Sequence, residues 1–196
     1  MKRLFTLVFT LLLPLALFAA GGTPAKLKAG VFEPPHMAPE FILRGSDGAD
    51  VKLSRYRGKL VLLVFGFTHC PEVCPTTLAT LAQARKALGA QADAVQVVYV
   101  TVDPERDDVA TIKKYLAVFD NSFIGGTGKP EVLAAMRKNY GVVAAKLGAP
   151  KDSGYGMNHS TSVYLIDRAG RLRAMMPYGH AAQDFVHDVK LLLAAQ

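Results

Sequence analysis

The sequence predicts an α/β domain with a central mixed sheet flanked by helices and an N-terminal β-hairpin. Three observations carry this prediction. Two continuous apolar runs, residues 60–67 and 95–102, have the composition of strands covered on both faces. Each is followed by apolar residues at helical spacing, so a helical crossover joins the two strands and they run parallel. Two pairs of short apolar stretches, one early and one late, flank turn-forming residues and read as antiparallel hairpins.

Residues 1–22 open with Lys2 and Arg3, continue as an apolar run and close on Gly21 and Gly22. That is the pattern of a signal peptide or an N-terminal membrane anchor, and Pro14 within the run favours the cleaved signal. The domain is therefore expected in an extracytoplasmic compartment, the periplasm or the outer face of the cytoplasmic membrane, where thiols can oxidise. Residues 23–37, with Pro24, Pro34 and Pro35, read as a proline-rich lead. Residues 38–196 form the folded domain, and a composition 51% hydrophobic suffices for one ordinary core.

Within that domain, residues 41–43 and 51–53 flank Ser46, Asp47 and Gly48 as the first hairpin. The strand over residues 60–67 runs straight into His69 and Cys70. A helix over residues 76–88 starts after Pro75 and stops at Gly89, with Leu78, Leu81, Ala82 and Leu88 at helical spacing. The second buried strand ends at Asp103 and Pro104, and Asp107 or Asp108 is placed to cap a helix carrying Val109, Ile112, Tyr115, Leu116 and Phe119. Pro130 opens a short helix that ends near Gly141, and residues 145–160 read as loop. Residues 162–166 and 171–175 make the second hairpin, and an amphipathic helix over residues 181–193 closes the chain. Parallel strands with crossover helices, then an antiparallel hairpin and a last helix, are the thioredoxin-like plan.

The formal net charge is +7. Basic residues are scattered, and no motif interleaves them with aromatic side chains, which argues against nucleic acid as a partner. The balance fits acidic partner proteins or anionic lipid near a membrane. The glycines at 125, 126 and 128 lack the strand, turn and helix setting of a phosphate loop.

Cys70 and Cys74 are the whole thiol inventory. Four residues apart at a helix N-terminus, their sulfurs fall on one side. The free N–H groups and dipole of a helix start favour thiolates, the form that attacks disulfides and binds soft metals. A purely structural disulfide here would close a very short loop and contribute roughly 2 kcal/mol, little for a domain with this core. Redox chemistry and metal binding stand as the functional readings.

Copper in both oxidation states asks for a nitrogen donor beside the two sulfurs. His36 lies in the lead, His180 in a solvated turn and His187 within the last helix. His69 adjoins Cys70, but neighbouring side chains at a strand end point apart, so it reads as a supporting group. His159 closes a flexible loop through Gly154, Tyr155, Gly156, Met157 and Asn158, just before the strand expected beside the cysteine strand. Zinc is disfavoured, because a closed structural site wants four ligands and three are in view.

The segments FGFTHCPEVCPTT (residues 65–77), VTVDPERD (100–107) and NHSTSVYLIDRAG (158–170) together resemble the Sco/SenC family of copper chaperones. Arg57, Gly58 and Lys59 after the first hairpin add to the resemblance, which spans residues 38–193. It implies that Cys70, Cys74 and His159 are ligands of copper, as Cu(I) and Cu(II). It also implies that the domain helps assemble the binuclear copper centre of cytochrome c oxidase, with cytochrome c oxidase subunit II or another copper-acceptor protein as its partner. Asp103 falls on the family's aspartate near the site, and reads equally as a turn residue before Pro104. Where the family commonly has aspartate before the histidine, Asn158 stands here, able to hydrogen-bond but uncharged. Met157 is a soft thioether beside the histidine and stays outside the expected ligand set.

The alternative is an extracytoplasmic thiol:disulfide oxidoreductase that uses Cys70 and Cys74 as a redox pair on the cysteines of a copper acceptor. A three-residue spacer and the absence of proline at His159, Ser160 and Thr161 favour a ligand loop over a substrate-gripping loop, although thiolates that hold copper are also redox-competent. A peroxidase of the peroxiredoxin type shares only the fold.

Overall fold

Strands rich in Val, Leu and Phe need cover on both faces, and the crossover helices supply it. The structure is a computed structural model and describes residues 26–148 and 154–195. The signal peptide or anchor expected at residues 1–22 lies outside the described residues. In chain order the elements are β1 (Gly30–Met37), β2 (Ile42–Gly45), β3 (Asp50–Lys52), β4 (Leu60–Gly66), α1 (Val73–Leu88), β5 (Val95–Thr101), α2 (Val109–Ala117), β6 (Ile124–Thr127) and α3 (Pro130–Tyr140). They continue with β7 (Ala144–Leu147), β8 (Gly156–His159), β9 (Val163–Ile166), β10 (Arg171–Met176) and α4 (Ala182–Ala194).

Eight strands form one mixed sheet in the order β1-β10-β9-β4-β5-β6-β2-β3. β4, β5 and β6 are parallel, and β9 returns antiparallel beside β4. Side chains alternate along β4. Leu60, Leu62 and Val64 enter one core with Leu78, Tyr99 and Ile112, while Val61, Leu63 and Phe65 enter the other with Leu133, Met136 and Tyr164. Both expected hairpins form, as β2–β3 and β9–β10. Among the described residues no helix is long and apolar enough to cross a membrane.

Four local differences have physical reasons. α1 starts three residues before the expected position and takes in Pro75 as its third residue, where a backbone N–H has no intrahelical partner to lose. The proline-rich lead contributes the edge strand β1 against β10; prolines are tolerated at an edge, and the register shifts between Val31 and His36 around Pro34 and Pro35. The glycine-rich stretch is a strand, because a Cβ on Gly125 would stand 2.1 Å from Ile112 Cγ2 and only glycine lets α2 close onto β6. Residues 145–160, expected as loop, contain the separate hairpin β7–β8, whose mostly solvated strands lack the apolar alternation that announces a sheet.

Candidate metal centre

β4 ends at Gly66 on the buried midline of the sheet, and the chain turns through Phe67 to Glu72 into α1. This places Cys70 in the turn and Cys74 in the first helical turn. Cys70 is half-buried and Cys74 buried, and both are free thiols. Cys70 Sγ accepts from the backbone N–H of Cys74 at 3.4 Å, so it stands in for a cap at the otherwise uncapped start of α1.

The helix start does not decide the state of Cys74. Burial pushes its thiol well above the ordinary value, outweighing a backbone hydrogen bond from Phe67. Burial therefore works against the thiolate that the helix start favours, and a soft cation binding here displaces the proton.

His159, 85 positions further along, closes β8 and brings Nε2 to 3.5 Å from Cys74 Sγ. Its Nδ1 lies 2.8 Å from the carbonyl oxygen of Ser160. A carbonyl only accepts, so Nδ1 carries the proton and the lone pair sits on Nε2, towards the sulfur. Burial lowers the imidazole pKa, which keeps the ring neutral, and Phe67 packs edge-on against it at 5.8 Å between ring centres. Phe67, Cys70, Met157, Asn158, His159 and Thr161 line an open cavity of about 260 Å³ over these donors.

Two soft sulfurs and a neutral imidazole are a donor set suited to copper. Cys70 and His159 each meet Cys74, through its backbone N–H and its sulfur respectively, but among the described residues no three His, Cys, Asp or Glu side chains are yet placed together to hold a metal ion. Asn158 is exposed, and Met157 is half-buried against the core below the cavity. His69 is exposed and meets Thr68 Oγ1 at 3.2 Å. His36 packs on Phe32, His180 pairs with Asp184 and His187 with Asp188, all outside this cluster.

The acids after β5 divide their work. Asp108 caps α2 by accepting from Thr111 N. Asp107 is fully buried and accepts from Thr68 N, Thr68 Oγ1 and Thr101 Oγ1, tying the cysteine turn to the end of β5. Asp103 is buried, pairs with Arg106 and accepts from Tyr155 Oη at 2.7 Å. Arg106 in turn donates to the Tyr155 carbonyl at 2.9 Å and stacks 3.7 Å over its ring. Asp103 therefore acts through the hairpin that carries His159. Tyr155 and Arg106 were not singled out by the sequence; the available signal was one aromatic residue in a glycine-rich loop.

A family model described as SCO1/SenC matches residues 31–194. The mitochondrial protein SCO2 homolog of Mus musculus is 37% identical over 158 residues, which cover 80% of this chain and 62% of that protein. The chain spans between 53% and 62% of the length of the first mammalian relatives it matches. Among solved structures, ScoI of Bradyrhizobium japonicum with copper bound is 36% identical with a TM-score of 0.73, over 80% of this chain and 99% of that one. The apo Sco1 protein of Thermus thermophilus is 34% identical with a TM-score of 0.77, over 87% and 99%.

Proposed function

Because the chain belongs to the SCO1/SenC family, we propose that it binds copper through Cys70, Cys74 and His159 and carries it to the binuclear centre of cytochrome c oxidase. Copper is cargo here, taken up as Cu(I) and Cu(II) and passed to subunit II or another copper-acceptor protein at the outer face of a membrane. The observation that carries this reading is the imidazole of His159. Its Nδ1 is committed to the Ser160 carbonyl and its free Nε2 faces Cys74 Sγ at 3.5 Å, which gives a pair of thiols the nitrogen donor that both copper states need. The solved relative from Bradyrhizobium japonicum, described with copper bound, supports copper as the metal.

A second reading is favoured by the unequal burial of the two thiols. Cys70 is the accessible sulfur at a helix N-terminus and Cys74 the sheltered one. The pair is thus arranged for the reduced protein to attack an acceptor disulfide through Cys70, with Cys74 resolving the mixed disulfide and the acceptor leaving as dithiol.

The test is copper loading of the reduced chain. One copper per chain with an intense sulfur-to-Cu(II) charge-transfer band is expected. His159→Ala should keep the fold and lose retention, of Cu(II) above all, and Cys70→Ser or Cys74→Ser should abolish the band. Wild-type stoichiometry, affinity and spectrum in His159→Ala would overturn the three-ligand site and leave the oxidoreductase reading ahead.

A further inference from the structure

Behind Cys74 the core holds a phenol hydroxyl with nothing to bond. Tyr99 on β5 is fully buried, and its Oη has no hydrogen-bond partner among the described residues. A buried donor without an acceptor is costly, and phenylalanine would fill the same space without that cost. The sulfur of Cys74 gives the hydroxyl a purpose. A methyl group built on Gly66 would stand 2.9 Å from Tyr99 Oη and 3.0 Å from Cys74 Sγ, so hydroxyl and sulfur border one gap that exists because Gly66 has no side chain.

The other nearby acceptor is occupied. Both oxygens of Asp107 are engaged by Thr68 and Thr101. In this structure the hydroxyl and the sulfur stand on either side of that gap with no hydrogen bond between them. A metal-bound thiolate is a strong acceptor, and hydrogen bonds to such a sulfur tune how far it donates to copper.

Resting on the copper site proposed above, we infer that Tyr99 is a positioning residue whose hydroxyl donates to the Cys74 thiolate across the gap beside Gly66 once copper is bound. The hydroxyl then withdraws electron density from the sulfur and holds it in place. Tyr99 touches neither the metal nor the acceptor and acts through Cys74 alone.

The test compares Tyr99→Phe with Tyr115→Phe in the full chain. Tyr115 is the adjoining phenol, its ring centre 6.0 Å from that of Tyr99, and its Oη also lacks a partner. Tyr99→Phe should still take up one copper per chain. Its sulfur-to-Cu(II) band should move to longer wavelength, its affinity against a competing chelator should fall by about tenfold, and its gain in Tm on loading should shrink while the metal-free Tm is equal or higher. Tyr115→Phe should match wild type in band and affinity. A fully loaded Tyr99→Phe with wild-type band and affinity, or an equal band shift in Tyr115→Phe, would overturn the inference and leave the copper site standing. A wild-type chain that takes up no copper would overturn the site, and the inference with it.

Discussion

Removing the hydroxyl of Tyr155 should loosen the hairpin that carries His159 while sparing the rest of the domain. β7 and β8 form their own two-stranded sheet, and a lone hairpin is marginal in water. Its anchors include Tyr155 Oη donating to Asp103 at 2.7 Å, Arg106 on the Tyr155 carbonyl and ring, the Lys146–Glu105 ion pair at 2.6 Å and the exchange of bonds between Val143 and Ser160. Burial and the bond to Asp103 push the Tyr155 phenol up to about 12, so it remains a donor at neutral pH. The acceptor is a buried carboxylate, so Tyr155→Phe forfeits about 1.5–3 kcal/mol. With every 1.4 kcal/mol worth a factor of ten, hairpin opening should rise about 10- to 150-fold. Native-state hydrogen exchange reads this directly at two amides, Ser160 N to the Val143 carbonyl at 3.0 Å and Val143 N to Ser160 Oγ at 3.1 Å. Both should exchange faster by that factor, amides of β4 should not change, and copper should restore protection. Unchanged exchange at Ser160 and Val143, or equal acceleration in β4, would refute the role given to the Tyr155–Asp103 bond.

Two further outcomes are expected. Asp107→Asn places an amide donor among the three donors that its buried carboxylate now satisfies, so the domain should lose about 2–4 kcal/mol. The denaturant midpoint should fall at unchanged slope, and a loss under about 1 kcal/mol would show that these bonds do not hold the cysteine turn. The second outcome is pH dependence. Burial depresses the His159 pKa in the folded state, so the unfolded chain takes up that proton first as pH falls below about 6.5. Stability present at higher pH is therefore lost through that window towards the folded value. Wild type should lose unfolding free energy more steeply there than His159→Gln, and parallel curves would contradict a desolvated imidazole.

Periodicity and turn chemistry alone determined the β4–β5 parallel pair, the β2–β3 and β9–β10 hairpins and the helices, though not the strands β1 and β6, because apolar runs and caps at Gly89, Gly141 and Asp108 act over a few residues. The Cys70 and Cys74 pair was equally legible, since its spacing and its place between a buried strand and a helix are local facts. His159 already stood apart from the other four histidines by its place before the strand expected beside the cysteine strand, and family resemblance then named it a ligand. Tertiary structure decided what no local pattern encodes: that Nε2 of His159 meets Cys74 Sγ across 85 positions of chain, and that Asp103 serves the hairpin through Tyr155. It also decided that burial raises the Cys74 thiol and that Tyr99 Oη and the sulfur border one gap beside Gly66. Each of these depends on which groups packing brings into contact and strips of water. Burial sets both the cost of a charge and the value of a hydrogen bond, and it exists only once the sheet, its helices and the β7–β8 hairpin have closed around the site.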